Sequence, residues 1–516
     1  MYKLIFIFLF LSASICAQNV EQTYRNPVIA GDFPDPTVIR VGEDYYAAGT
    51  TSEFAPNYPI YHSRDLINWE RIGAVFNDPP AWIVGDCWAP ELYYNNGTYF
   101  VYYTARRKSD NITCIGVATT KDITKGFTDH GILIDWGKEA IDAYVFKDDD
   151  GKLYITWKAY GLDTRPIEIL ASELSADGLS LVGEHFTLTD PSKGWIERGD
   201  EGQVILKRNG YYYHFYSIGG CCDNRCDYRV HVARAKSLRG KWEQYEPNAI
   251  LQGGGAWRCS GHGTIVQSPE GRYFYLYHAY NAYDFEFVGR QGLLDELMWD
   301  DQTGWPYFRY GDTPTVQAPV PFAGTTQKRN IDISDDFKSN KYNTYWQWDM
   351  YASKPVVTKN SKGIDVTNLK NGLSFWGVNS QSGNYTMSTE VGSKGTNFKG
   401  LTIYGSAKSL FAWGIEGSKI KLFKIQNDQR EEVYSENISG NTSSVHLKIE
   451  VVSGRLYRFL WSADNTEWNI YPKDNKSLDG TFLPQWGRGL RLGLLIENNG
   501  TDNNATFSRF DLINKF

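Results

Sequence analysis

Up to Phe322 the apolar and polar positions follow one recurring pattern: a short apolar run, a polar turn closed by glycine, and a second run dense in tyrosine. IRVGEDYYAAGTT, LYYNNGTYFVYYTA, VFKDDDGKLYITWKA, VILKRNGYYYHFYSI and IVQSPEGRYFYLYHAY carry it in turn. Such a pattern predicts a hairpin, and Asn209-Gly210 is the pair that two-residue hairpin turns favour, because both central positions need positive φ. The turn glycines Gly42, Gly97, Gly151, Gly210 and Gly271 stand 55, 54, 59 and 61 residues apart. Each interval holds about four strands, and IYHSRDLINWERIG, IGVATTKDITKGFTDHG, ILASELSADGLSLVGEHF and RVHVARAKSLRGKWEQY supply outer strands in the first four units. Five units of this kind predict an all-β, five-bladed propeller. No amphipathic helical pattern of about 10–15 residues separates the strands, which argues against a parallel α/β sheet.

The rhythm stops after PVPFAGTTQKRN. Beyond it HLKIEVVSG, LYRFLWSAD and LRLGLLIEN alternate in short segments, which predicts an antiparallel β-sandwich of jelly-roll type with its own core. The expected organisation is a signal peptide over 1–17, the propeller over 18–325 and an accessory sandwich over 331–516.

Composition narrows this further. With 516 residues, 41% of them hydrophobic, the chain can bury two cores, and 35 Tyr, 17 Trp and 49 Gly favour strands and tight turns. A net charge of −7 lacks the basic footprint of a nucleic-acid binder. MYKLIFIFLFLSASICAQ has a basic Lys3, an apolar run from Leu4 to Leu11 and small residues ending at Ala17. That is the pattern of a secretory signal, too short to span a membrane, with cleavage expected after Ala17 and a secreted or periplasmic destination. Losing Lys3 takes the charge from −7 to −8. Lipoprotein anchoring at Cys16 is less favoured, because bulky Ile15 stands where such signals need a small residue. Six cysteines remain: Cys87, Cys114, Cys221, Cys222, Cys226 and Cys259. An even number in an exported chain favours disulfides, in a pairing that sequence leaves open. The run CCDNRC lacks a partner cluster for zinc.

The hairpin register brings chemistry with it. Nine residues before Gly97, Gly151, Gly210 and Gly271 stand Trp88, Asp142, Glu201 and His262, and seven before Gly42 stands Asp35. In a propeller the first strand of every blade lines the central channel, so equivalent positions converge on one axis. Taken alone, Asp35 in FPDPTVIR reads as a turn residue. Its coincidence in register with Asp142 and Glu201 reads as a site, where crowded carboxylates raise one another's pKa. Two acids on opposite sides of a sugar can split a glycosidic bond, and a third can keep the proton donor protonated.

NPVIAGDFPDPTVIR, YHSRDLINWERIG, CWAPELYYNNGTYFVYYT, IDAYVFKDDDGKLYITW, EGQVILKRNGYYYHFYS and GHGTIVQSPEGRYFYLYHAY together resemble glycoside hydrolase family 43, from Tyr24 to Phe322. The resemblance implies a five-bladed propeller that hydrolyses arabinose- and xylose-containing polymers with inversion. Carried over by position, it implies Asp35 as general base, Asp142 as pKa modulator and Glu201 as general acid. It implies Trp88 as an aromatic wall for the sugar, Phe54 and Arg290 as further substrate contacts, and His262 as a holder of a largely water-coordinated calcium on the axis. A structural salt bridge is the alternative for Arg290, and Asp32 is the decoy for Asp35. No organic cofactor is implied. Ala143 and Gln203 depart from the family by replacing frequent prolines, GGCCDNRCDY resembles loops of arabinan-acting relatives, and YWQWDM is similar to the lectin-like module of some β-xylosidases.

The expected activity is removal of pentose from plant arabinan, arabinoxylan or xylan, by an α-L-arabinofuranosidase or β-xylosidase. The alternatives are an endo-arabinanase and a non-catalytic glycan-binding propeller. The expected partner is a plant polysaccharide or oligosaccharide, with no nucleic acid and no transmembrane segment, and the oligomeric state stays open. SRDLINW and SADNTEW lack the glycine of sialidase turns.

Overall fold

The computed structural model describes residues 22–515 except 161–166, 190–199, 247–248, 340–341, 439–441 and 475. The leader 1–17, Cys16 and the cleavage point after Ala17 lie outside the described residues. Five antiparallel, four-stranded blades surround one axis. Their innermost strands are Thr37–Val41, Ile83–Asn95, Glu139–Lys147, Glu201–Arg208 and Trp257–Gln267. Each pairs with the tyrosine-bearing strand that follows it. Asn96-Gly97 and Asn209-Gly210 close two of these hairpins, all four residues having φ between 48 and 75°, as two-residue turns require. The strand Thr23–Arg25 pairs with Gln317–Pro319, tying the start of the propeller to its end.

The inner strands are irregular where the candidate residues sit. Register shifts interrupt pairing between Trp88 and Glu91, Ile141 and Tyr144, Glu201 and Val204, and Arg258 and Gly261. A bulge turns a side chain out of the sheet's alternation and aims it at the channel.

Residues Ile333 to Asn514 form a sandwich of a nine-stranded and a six-stranded sheet. YTMSTEVG (Tyr385–Gly392) alternates buried and half-buried positions along its whole length. Phe411, Trp413, Leu447 and Phe459 belong to the core between the sheets. No helix among the described residues is long and apolar enough to cross a membrane.

The two units are bonded together. Phe54–Ala55, in a loop of the first blade, pairs as a short strand with Trp348–Asp349 of the second unit. Arg491 reaches across to Asp32 at 3.0 Å, with both side chains at most 3% exposed. Disulfides join Cys221 to Cys222 and Cys226 to Cys259, whereas Cys87 and Cys114 are buried free thiols. Disulfides form as the export context favours, and the two cysteines in second-blade strands stay free and pack as small apolar groups. The CCDNRC sulfurs are spent on disulfides.

Candidate active site

Asp35, Trp88, Asp142, Glu201 and His262 line one pocket of about 500 Å³ at the end of the propeller axis that faces the sandwich. Asp35, Asp142 and His262 adopt φ of 52, 56 and 41°. Left-handed backbone at non-glycine residues costs about 1–3 kcal/mol each and persists where the surrounding structure holds it. Gly202, after the acid, has φ of 60° and a would-be Cβ only 2.7 Å from the His262 ring. A side chain there would displace His262, which explains the glycine in DEGQ.

Asp35 is fixed from several directions. Its amide donates to Nδ1 of His278 at 3.1 Å, and the Thr50 hydroxyl donates to its Oδ2 at 2.7 Å. Arg290 Nη1 lies 2.8 Å from Oδ1, and His262 Nδ1 lies 3.4 Å away. Burial alone would push this carboxyl up, but the charge of Arg290 with His262 beside it outweighs burial and holds Asp35 ionised, far below the usual range. His278 is lowered to about 4 by burial and by Arg290, so it is neutral and accepts the Asp35 amide.

The opposite wall differs. Glu201 Oε2 sits 2.5 Å from Lys158 Nζ, and Tyr228 donates its hydroxyl to Oε1 at 2.9 Å. Burial raises Glu201, but Lys158 outweighs it by charge and hydrogen bond, so the net direction is down. Asp142 accepts the Gly202 amide at 3.3 Å and lies 3.9 Å from His262 Nδ1. Burial and the charge of Glu201 push it up to about 7, against His262 and Lys158. Crowding was expected to keep the acid, Glu201, protonated. Of Asp35, Asp142 and Glu201 the elevated carboxyl is Asp142, because the ammonium of Lys158 touches Glu201 and not Asp142.

Trp88 lines the pocket. Arg290 does too, but its guanidinium is committed to Asp35 and to the Gly487 carbonyl at 3.3 Å, so it is an ion-pair partner of Asp35. Phe54 is a correction: it is 1% exposed and packs with Phe375, Tyr404 and the Arg491 guanidinium, because its strand pairs with the sandwich and turns the ring away from the pocket. Asp32 faces the domain interface through Arg491 and is no rival to Asp35.

His262 was expected at a calcium ion. Beneath the carboxylates an axial cavity of about 10 Å³ is lined by His262, Glu91, Ala143, Gln203 and Thr264, and the Oε1 of Gln203 lacks a hydrogen-bond partner. That space takes one water-sized occupant, whereas calcium takes six to eight oxygens. Among the described residues no group of three or more His, Cys, Asp or Glu is arranged to hold a metal. These side chains do not furnish a calcium site by themselves, and His262 Nδ1 faces Asp35 and Asp142 instead.

Several pocket residues left no mark in the sequence. Lys158 lies in the strand Leu153–Tyr160, where a lone lysine reads as solvent-facing. Tyr228 follows the CCDNRC loop, which Cys226–Cys259 anchors to the strand bearing His262. Glu53, Asp86 and Arg106 line the wall beside Trp88, and Trp486, Gly487 and Arg488 arrive from the sandwich. Those last three are too far away in sequence for any local pattern to recruit them.

The family model described as glycosyl hydrolases family 43 matches residues 24–306. A second, described as the beta xylosidase C-terminal concanavalin A-like domain, matches residues 334–512. A xylan 1,3-beta-xylosidase from a Vibrio species is 27% identical over 499 residues, covering 86% of this chain and 90% of the relative. Xylosidase/arabinosidase 43B of Humicola insolens is 30% identical over 351 residues, covering 63% of this chain and 62% of the relative. The crystal structure of a xylan beta-1,4-xylosidase from Bacillus halodurans C-125 superposes with a TM-score of 0.82 at 21% identity, over 95% of this chain and 99% of that one.

Proposed function

The chain belongs to glycosyl hydrolases family 43, and from that premise we propose an exo-acting, inverting pentosidase that removes terminal β-xylosyl or α-L-arabinofuranosyl residues from arabinan, arabinoxylan or xylan. The observation that carries this reading is the convergence of three carboxyls on one pocket: Asp35 held ionised by Arg290, Glu201 paired with Lys158, and Asp142 raised beside them. An ionised carboxylate suits a base that takes a proton from water as the water attacks the anomeric carbon. Glu201 then gives a proton to the departing oxygen, as inverting two-carboxyl chemistry requires. Asp142, the raised carboxyl of the three, shares with Glu201 the field of Lys158 and His262. A glycosidic oxygen arriving at Glu201 competes with Lys158 for the carboxyl and favours its protonated form. This chemistry needs no organic cofactor.

Exo action is supported by Trp486, Gly487 and Arg488, which wall the pocket on the sandwich side. Xylose is supported by the relative that spans both units, whose printed name is a xylosidase; arabinose is supported by the double name of the Humicola relative. The leader of residues 1–17 directs the mature chain out of the cytoplasm in this reading.

The test is hydrolysis of 4-nitrophenyl β-D-xylopyranoside and α-L-arabinofuranoside, with proton NMR of the first sugar released. Turnover of at least one, with the inverted anomer appearing first, is expected. Absence of turnover on both, together with inactivity on arabino- and xylo-oligosaccharides, sinks the proposal; first release of the retained anomer removes Asp35 from the role of base.

A further inference from the structure

The wall beside Trp88 carries a second pair of acids that the hydrolytic step does not use. Ser52 and Cys87 exchange backbone hydrogen bonds at 3.1 and 3.0 Å, which sets the next residues, Glu53 and Asp86, side by side. Burial and the charge of neighbouring Asp86 raise Glu53 to about 7 despite Arg488. Each acid is also capped from behind: Glu53 by Arg488 of the sandwich, and Asp86 by Arg106 of the second blade. Ser52 and Asp86 sit at φ of 54 and 50°, so the backbone is strained to present this pair. All four charged residues line the catalytic pocket, while the two acids are only 6 and 7% exposed.

A buried acid pair is costly unless it has work for its lone pairs. Thr50, three residues before Glu53, holds the base Asp35, and Asp86 stands two residues before Trp88. By these short chain links the pair adjoins the base and Trp88 in the pocket. In an inverting site the acid marks the leaving group, so groups beside the base and away from the acid meet the sugar being released. That sugar offers neighbouring hydroxyls, and a carboxyl pair sharing one proton offers both acceptors and a donor at matched spacing. The flanking arginines stop the two acids from repelling each other when the sugar arrives.

Resting on the pentosidase reading above, we propose that Glu53 and Asp86, held by Arg488 and Arg106, form the subsite that grips the vicinal hydroxyls of the terminal pentose and thereby sets sugar specificity. Because Arg488 comes from the sandwich, that unit contributes to substrate choice and not only to cover.

The experiment uses the full chain and the 4-nitrophenyl pentoside that the wild type hydrolyses, with Glu53→Ala, Glu53→Gln and Asp86→Asn. Glu53→Ala is expected to raise KM about tenfold or more with kcat within about threefold, and the two amide variants to raise it by a smaller factor, since uniform binding is what is lost. Monodeoxy glycosides supply a readout that a merely structural role would not move: deleting the hydroxyl held by Glu53 weakens the wild type and has no further effect on Glu53→Ala. Independent, additive penalties overturn the proposal, as does a KM within twofold of wild type in a folded Glu53→Ala. If that variant does not fold, Glu53→Gln decides by the same additivity criterion. Wild-type failure on every pentoside sinks the functional reading and this subsite with it, whereas wild-type turnover with unaltered KM in the variants sinks the subsite alone.

Discussion

Both units are antiparallel β structure, yet they put left-handed backbone to different uses. In the sandwich, among the described residues, it falls on Phe337, Asn427, Asp428, Ser453 and Asn465. Asn427-Asp428 closes the hairpin between Lys419–Gln426 and Gln429–Asn437, and Asn and Asp tolerate that conformation at low cost. In the propeller it falls on turns too, at Asn96 and Asn209 among others, but also on pocket residues: Asp35, Asp142, His262, Ser52 and Asp86. The sandwich is strained where chain reversal demands it. The propeller is strained in turns as well, and in addition where side chains leave the sheet's alternation to converge on the pocket.

The sharpest break between the units is expected in activity. Asp35→Ala should lower kcat by about 10³–10⁴-fold or more on any substrate, and Glu201→Ala by a similar factor on oligosaccharides but less on a nitrophenyl glycoside, whose leaving group needs little protonation. Both variants should unfold below the wild-type temperature, since each leaves a buried cation, Arg290 or Lys158, without its carboxylate. An active Asp35→Ala would break the assignment.

A smaller effect sharpens the contrast between the two walls of the pit. Lys158→Met removes the cation that lowers Glu201 and also lowers Asp142. Both carboxyls then hold their protons to higher pH, so the alkaline limb of the kcat/KM profile should move up by about one pH unit. A limb that stays put, or moves down, would show that Lys158 does not govern the acid.

Smaller again is a stability effect with a defined sign. Asp142 titrates near 7 in the fold, above its ordinary value of 3.8. Between those values the folded state binds more protons than the unfolded state, so stability falls as pH rises from about 4 to 7 and stays reduced above that. Asp142→Asn, neutral throughout, should therefore raise Tm at pH 8 by about 2 °C or more over wild type while impairing catalysis, and show little gain at pH 4. Thermal unfolding at the two pH values measures it. Asn427→Ala, in the sandwich turn, should cost only about 1 kcal/mol and leave kcat/KM unaltered; a kinetic effect there would undo the contrast between the units.

Much of the active-site framework was legible because it is a repeat. The glycine-tyrosine hairpins fix five equivalent strands, and the same spacing from those glycines picks out Trp88, Asp142, Glu201 and His262, with Asp35 two residues off register because it precedes its strand. Phe54 was misread because nothing local reveals that Phe54–Ala55 pairs with Trp348–Asp349, a contact across 294 positions of sequence. The elevated carboxyl was misplaced for a related reason: counting acids cannot say which of them touches Lys158. Which cysteines pair stayed open likewise, since Cys87 and Cys114 are distributed by the blade's packing and not by number.

The blade count and the sandwich were legible in the chain because periodic alternation and turn residues are local and repeat within hydrogen-bonding reach, and the kind of chemistry followed from the resemblance to a known family. Only the tertiary structure decided which groups charge or discharge the three carboxyls and how the sandwich loop at Trp486 to Arg488 enters the pocket. Those outcomes depend on distances of a few ångströms between residues far apart in the chain, where electrostatic interaction is strong and sequence spacing carries no information.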